Sequence, residues 1–307
     1  MSRFLCFGSL NIDYTYRVPH FVGAGETLAA SEVKTFCGGK GLNQSVALAK
    51  AGAEVCHAGS IGTDGTCLIE ALNKAAVNTD FVAVLPQEKT GHAIIQNTAD
   101  GENCILLFGG ANRCITKEQI DTVLCHFGSG DTLVLQNEIN LIAYLIETAK
   151  QKGMTVAFTP APMKKEVRRY PLESVDYILL NETEARALCA TKNDQLLGRD
   201  ALAERLSTLY PHTCFVLTLG GAGALYIHGK ERIFQSAFQV KAVDTTAAGD
   251  TFAGYFLQSI AAGEKIEEAL KTAAAAAAVC VTRKGASPSI PTRKELNLLE
   301  DNNDVVF

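Results

Sequence analysis

The chain has 307 residues, of which 47% are hydrophobic and 20% charged, and its formal net charge is -5. That composition belongs to a folded globular chain and excludes a disordered, fibrous or collagen-like one. The mildly acidic balance argues against a nucleic-acid partner, which needs a basic face. It leaves small anions open, because backbone N–H groups can hold them.

At the N-terminus, Asn11 and Asp13 interrupt the apolar run too early for a signal-peptide core. Residues 4–8 read as a short buried strand, 41–51 as a helix, 54–61 as a strand and 65–76 as a helix. Thr116 and Gln119 have the spacing of a capping box that opens a helix over 117–127. Strand 132–136, helix 140–152 and strand 154–158 follow, then strands 176–180 and 213–218 with helical stretches beside them. Repeated βα units with continuous apolar strands predict an α/β fold whose mainly parallel sheet is covered on both faces. The Ala-rich run at 273–282 is followed by Arg283 and Lys284, and reads as a buried helix rather than a membrane span. A cytoplasmic protein with no membrane partner is the expectation.

Two stretches break this scheme. Residues 12–36 and 92–108 carry short alternating runs about turns, the second around Ala-Asp-Gly-Glu. Both read as antiparallel strands inserted into the α/β core, forming a small flap at the C-terminal edge of the sheet, where ligands bind in open α/β folds. With no linker or repeat, residues 1–307 read as one domain plus this lid. The ten cysteines include no C-x-x-C pair. Apolar neighbours at Cys6, Cys125 and Cys214 predict that most are small buried hydrophobes in a reducing compartment. The six histidines are scattered, which gives no structural zinc pattern.

Four segments can carry chemistry. In Val243–Gly254 an apolar helical pattern begins after Gly249. The amides of Ala247, Ala248 and Gly249 then lie at a helix start, where free N–H groups and the dipole favour an anion. Asp250 follows at once. Amides that steady a migrating phosphoryl group, with a carboxylate that accepts the proton of the attacking hydroxyl, suit phosphoryl transfer. The same residues in isolation also open an ordinary helix. In Phe36–Gln44 three glycines let the backbone approach a ligand, and Asn43 and Gln44 offer hydrogen bonds to hydroxyls. The spacing is neither G-x-x-x-x-G-K-[ST] nor G-x-G-x-x-G. Asn181 and Glu184 have capping-box spacing after an apolar strand, a position that also suits phosphate or metal. Thr218–Gly223 is a Gly-rich turn after another apolar strand; it admits a nucleotide or is simply a tight turn.

Taken together and in order, Gly8–Asp13, Gly38–Gln44, Asn181–Ala185, Thr218–Gly223, Val243–Phe252 and Val281–Pro291 resemble the motifs of the ribokinase-like (PfkB) carbohydrate kinase family along the whole chain. The match is nearer to the ribokinase branch than to the adenosine- or fructokinase branches. The resemblance implies a three-layer α/β/α sandwich with a small β lid that often forms a homodimer interface. It implies MgATP as donor and the 5-hydroxyl of D-ribose as acceptor. By position, Asn11, Asp13, Gly39, Asn43 and Glu138 would hold the sugar, and Asp250 would touch it and act as base. Asn181, Thr218, Gly220, Gly221 and Gly223 would line the nucleotide, and Glu184 would organise Mg²⁺ through water. Asp244, Thr246, Cys280, Arg283, Gly285 and Ser289 sit where the family's monovalent cation site, expected to hold K⁺, is found; a hard cation needs such oxygen ligands.

The chain departs from the pattern at Thr159, where related sequences usually have Asn, around Gly109-Gly110 before Ala111-Asn112, and among the neighbours of Glu138. These changes bear on which sugar is bound. The alternatives are a kinase of the same family acting on a nucleoside or on another furanose or hexose, a non-catalytic sugar-binding regulator, and a dinucleotide-dependent oxidoreductase. The intact Asp250 and its loop oppose the regulator, and the missing early Gly fingerprint opposes the oxidoreductase.

Overall fold

The computed structural model describes residues 2–100, 102–189 and 198–296. Its centre is a nine-stranded sheet. The parallel strands are β1 (Arg3–Phe7), β4 (Glu54–Ile61), β5 (Asn78–Val84), β8 (Thr132–Gln136), β9 (Thr155–Thr159), β10 (Tyr177–Asn181) and β11 (Cys214–Thr218). In space they run β11-β10-β9-β8-β1-β4-β5. An antiparallel hairpin, β12 (Gly223–His228) and β13 (Glu231–Ser236), extends the β11 edge. The sequence reading did not place this hairpin or β5. Only the alternate residues of β13 are partly buried, so its sequence lacks the apolar run that marks the central strands.

Both faces of the sheet are covered, and this follows from the strands. In β1, Leu5 and Phe7 point into one core while Phe4 and Cys6 point into the other. Side chains alternate between faces, so a strand apolar at every position needs helices on both sides. The first core is closed by α3 (Lys117–Leu124), α4 (Ile142–Gln151), α5 (Glu182–Cys189) and α6 (Arg199–Leu209). The second is closed by α1 (Lys40–Lys50), α2 (Thr66–Lys74), α7 (Ala248–Ala261) and α8 (Ile266–Val281). The Ala-rich run is thus α8, half of it buried among neighbours, and no helix among the described residues is long and apolar enough to cross a membrane.

The lid is a separate four-stranded sheet, ordered β3-β2-β6-β7. It consists of β2 (Asn11–Arg17), β3 (Glu32–Gly38), β6 (Gly91–Asn97) and β7 (Asn103–Phe108). The two expected hairpins are present, and β2 joins β6 in parallel to weld them into one sheet. Gly101 of the expected turn lies outside the described residues, as do 190–197 and 297–307, which the single-domain reading includes.

Two local expectations are corrected. Thr116 does cap α3, accepting from the Gln119 amide at 3.1 Å, but the Gln119 side chain turns away to the Gly59 carbonyl and Ser60. A better-buried partner wins it from the capping box, and the helix stops at Leu124. The cysteines also differ from expectation. Cys6, Cys56, Cys189 and Cys280 are buried, but Cys67, Cys104 and Cys125 are exposed and Cys37, Cys114 and Cys214 are intermediate. Cys104 belongs to the fully exposed strand β7, and Cys125 ends the outer face of α3. Apolar neighbours in sequence do not place a residue on the inner face.

One close approach in this frame bears directly on the site. Helices α1 and α7 touch at Gly254, where an added Cβ would fall 2.5 Å from the Ala47 Cβ and 2.8 Å from the Leu48 amide nitrogen. Gly254 therefore sets how near the two helices lie. Replacing it by valine forces them apart, and overpacking of this kind costs about 1–3 kcal/mol. The expected outcome for Gly254→Val is a lower urea midpoint, measured by equilibrium unfolding, together with a slower reaction.

Candidate active site

The C-terminal ends of β1, β8, β9, β10 and β11 converge on one edge of the sheet. Residues on or just beyond these ends include Asn11, Glu138, Thr159, Asn181 and Thr218. Sequence reasoning singled out four of these for function and noted Thr159 as a departure. Parallel strands bring them together because each strand delivers its loop to the same side.

Asp250 stands in the first turn of α7 and is 7% exposed. Its carboxylate is held from α1. Asn43 Nδ2 donates to Oδ2 at 3.1 Å, and Gln44 Nε2 donates to Oδ1 at 3.0 Å. The carboxylate therefore faces the glycine-rich segment rather than a hydrocarbon core. Gln44 is itself gripped: Gln136, at the end of β8, donates to its Oε1 at 2.8 Å, and its Nε2 also reaches Thr159 Oγ1 at 3.3 Å. The departure at Thr159 thus lands on the residue that holds Asp250. Among the neighbours of Glu138, a further departure, Asn137 is buried and fastens the 160–162 loop by donating to the Pro162 carbonyl at 2.8 Å.

The loop before Asp250 has the shape of an anion cradle. Ala247 adopts a left-handed conformation, φ 61° and ψ 7°, and starts α7. Nothing lies within 4 Å of where a Cβ on Gly249 would be, so the space above it is open. The Ala248 amide makes a 3.3 Å bond to the Thr245 carbonyl.

Asn11, Asp13, Gly39 and Glu138 surround the start of α1. Gly39 has φ +96°, a left-handed value, and a Cβ there would fall 2.9 Å from the Ser9 carbonyl. Asn11 accepts from Asn112 Nδ2 at 2.8 Å, which ties β2 to the 110–113 turn. Glu138 accepts from the Ser9 hydroxyl and from the Lys40 amide, the latter at 3.2 Å. Burial pushes the Glu138 carboxyl up; the field of Lys40 and the Ser9 hydroxyl oppose this. Asp13 lies against Gly38, and burial, with Glu138 nearby, pushes it up to about 7. Lys40 is a residue that sequence reasoning passed over. Its ammonium is held above its ordinary range chiefly by Asp250, against burial, with help from Glu138 and Glu184. Its position inside the glycine-rich segment was the available signal.

On the far side, Asn181 and Thr218 are partners in the β10–β11 register. Asn181 and Glu184 form a complete capping box: the Asn181 amide donates to Glu184 Oε2 and the Glu184 amide to Asn181 Oδ1, both at 2.9 Å. Gly220 and Gly221 are exposed with no neighbour where a Cβ would be, and Gly223 closes the turn into β12. The residues expected around a monovalent cation are also gathered. Asp244 Oδ1 accepts from the Thr246 amide and hydroxyl at 2.9 and 2.6 Å, and its Oδ2 accepts from the Gly285 amide at 2.9 Å. Burial alone would raise the Asp244 pKa, but these hydrogen bonds bring it below the usual carboxylate range. Cys280 Sγ lies 3.7 Å from the Thr246 carbonyl and 3.0 Å from Ser289 Oγ, and the Arg283 amide donates to the Cys280 carbonyl at 3.1 Å. The Arg283 guanidinium turns outward to Glu295 at 2.8 Å.

The sequence profile described as pfkB family carbohydrate kinase matches residues 1–293. The chain belongs to the pfkB family of carbohydrate kinases. It is 36% identical over 304 residues to a ribokinase of Haemophilus influenzae, covering 95% of this chain and 97% of the relative. It is 33% identical over 295 residues to a deoxyribokinase of Salmonella typhi, covering 93% and 94%. The solved structure of an Arabidopsis thaliana ribokinase complexed with ribose and ATP superposes with a TM-score of 0.84 at 30% identity, over 97% of this chain and 99% of the other. The pfkB kinase reading accounts for a sheet edge that combines buried carboxylates with open, glycine-rich backbone.

The raised Asp13 gives a stability signature. Its folded pKa of about 7 lies above its ordinary value of 3.8, so the folded chain keeps a proton that the unfolded chain has lost. Stability must then fall as pH rises between those two values. In Asp13→Asn that loss is absent. The variant is expected to gain stability over the parent at pH 8, with the gain shrinking as pH falls from about 7 toward about 4, as read by urea midpoints across pH.

Proposed function

We propose that this pfkB kinase transfers the γ-phosphoryl group of ATP to the 5-hydroxyl of D-ribose, with Asp250 as general base. The observation that carries the reading is the placement of Asp250: a buried carboxylate in the first turn of α7, held by Asn43 and Gln44 from the glycine-rich segment. Asn11, Asp13, Gly39, Asn43 and Glu138 bind the sugar hydroxyls. Asp250 takes the proton of the attacking hydroxyl, whose oxygen bonds to the γ-phosphorus as the bond to the ADP oxygen breaks. The amides of Ala247, Ala248 and Gly249 receive the charge of the moving phosphoryl group, with the dipole of α7 behind them. For Ala248 this means exchanging its long bond to Thr245 for the anion. Lys40 adds a positive charge close to Asp250 and Glu138.

Asn181, Thr218, Gly220, Gly221 and Gly223 line the nucleotide. Mg²⁺ fits beside Glu184 through water: one carboxylate oxygen caps the Asn181 amide, and an oxygen donor suits a hard cation. When bound, it neutralises phosphate charge. K⁺ would be held by Asp244, Ser289 and the carbonyls of Thr246, Cys280, Arg283 and Gly285, stiffening the loop that leads into Ala247. The exposed apolar lid residues, Val33, Ile105, Leu106 and Phe108, support a homodimer formed through the lid.

Asp250→Asn keeps the size of the side chain and removes the base. The expected loss in kcat with ribose and MgATP is at least about 10²-fold, the low end of general-base effects. Turnover near that of the parent removes Asp250 from the chemistry. The acceptor is tested by comparing kcat/KM for D-ribose, 2-deoxyribose, fructose and a nucleoside: ribose is expected to lead, and equal turnover on another acceptor overturns the sugar assignment while leaving the role of Asp250 intact. The cation site is tested by replacing KCl with tetramethylammonium chloride at equal ionic strength, which is expected to slow turnover.

A further inference from the structure

Phosphoryl transfer uses no sulfur chemistry, yet two cysteines face each other across the seam between lid and body. Cys37 lies in β3 directly before Gly38 and Gly39. Cys67 is the second residue of α2, which packs on the body. Cys37 Sγ lies 3.5 Å from the Cys67 carbonyl oxygen, which places the Cys37 thiol against residue 67 itself. Cys67 is exposed and Cys37 is partly so, and both are free thiols. They come from segments thirty residues apart, one a lid strand and the other a helix of the body, so their meeting is a feature of the folded chain and not of local sequence.

The two sulfurs are not equivalent. Burial, with Cys67 and Asp13 adding to it, pushes the Cys37 thiol up to about 11, with Lys74 opposing. Cys67 is open to solvent, where a small oxidant reaches it without displacing other groups. Cys67 is therefore the sulfur that meets an oxidant first, and Cys37 is placed to resolve the product.

We propose that Cys37 and Cys67 form a reversible disulfide when the enzyme meets hydrogen peroxide, and that this bond fastens lid strand β3 to α2 and stops turnover. The cross-link itself rests on the two thiols; its effect on turnover rests on the site reading above. The Cys67 thiolate attacks peroxide. An S–O bond forms, the O–O bond breaks, and the leaving hydroxide takes up the thiol proton as water, so sulfur is oxidised to a sulfenic acid. The Cys37 thiol then loses its proton and attacks the Cys67 sulfur. The S–S bond forms, the S–O bond breaks and a second water leaves. Two thiols and one peroxide give one disulfide and two waters. A small thiol such as dithiothreitol reverses the bond by exchange. Turnover is sensitive to this bond because β3 runs straight into Gly38 and Gly39, and its partner strand β2 carries Asn11 and Asp13. A lid that must move to admit and release a sugar is fixed once β3 is tied to the body.

The test treats the full-length enzyme with a few equivalents of hydrogen peroxide and reads two signals. Non-reducing proteolysis with mass spectrometry is expected to find a peptide pair joined through Cys37 and Cys67, lighter by two hydrogens than its parts. The phosphorylation rate, measured on whichever sugar the untreated enzyme turns over best, is expected to fall at least about tenfold, the scale on which misplaced site groups cost rate, and to return with dithiothreitol. Cys67→Ser and Cys37→Ser are expected to turn over as the parent does and to lose the peroxide response. Absence of the joined pair overturns the proposal whatever the enzyme's substrate proves to be. Rate loss that persists in Cys67→Ser assigns the effect to other sulfurs and overturns it as well. A cross-link without rate loss overturns the lid-fastening role.

Discussion

The site depends on one contact, the crossing of α1 over α7 that puts the Asn43 and Gln44 amides on the Asp250 carboxylate. A carboxylate this buried is costly unless its oxygens are satisfied. Here both oxygens are engaged by neutral amide donors. Neither donor carries a charge, so the carboxylate is held without a direct ion pair. Lys40 supplies its field without such a contact: no ion pair between Lys40 and Asp250 appears among the described residues. One turn further along both helices, Gly254 meets Ala47, so the same crossing that aims the carboxylate is locked by packing.

Behind this contact stands a set of neutral polar residues. Gln136 and Thr159, each closing a strand of the central sheet, hold Gln44 from behind, and Gln136 and Gln44 are almost wholly buried. Such residues carry no charge to perturb the base and have fixed donors and acceptors. A buried polar chain of this kind specifies one geometry when its members are paired. Threonine at position 159 meets Gln44 with a short hydroxyl, which can donate as well as accept, in place of the longer amide of asparagine. The departure to threonine therefore bears on Gln44, which in turn holds Asp250.

Much of this was legible in the sequence, and the reason is local. Central strands are buried on both faces and carry short, largely apolar runs, so 54–61 and 132–136 were read to the residue, and the chemistry-bearing loops follow such strands directly. Asp250 stood out because its surroundings are contiguous: small residues, glycine, acid, apolar helix. What was not legible is long-range. The parallel pairing of β2 with β6 joins segments separated by the whole α1–β5 stretch, and no periodicity announces it. Gln44 was visible as a hydrogen-bonding residue but not as the keeper of Asp250, since that needs the α1–α7 crossing. The exposed cysteines misled for the same reason: an apolar neighbourhood in sequence does not say which face of an element a residue takes.

The lid and the proposed sugar site share a strand, β2. Asn11 and Asp13 are lid residues by pairing and site residues by position, and β3 passes without a linker into Gly39 and α1. Any displacement of the lid therefore moves Asp13 at one end of the site while Glu138, beyond β8, and Asp250, rooted in α7, stay with the body. Burial has already made Asp13 and Glu138 reluctant to carry charge together. A polyol that supplies hydroxyl donors to these carboxyls relieves that cost by replacing lost water. In the proposed reaction the sugar thus offsets the cost of holding Asp13, on the lid, beside Glu138, on the body.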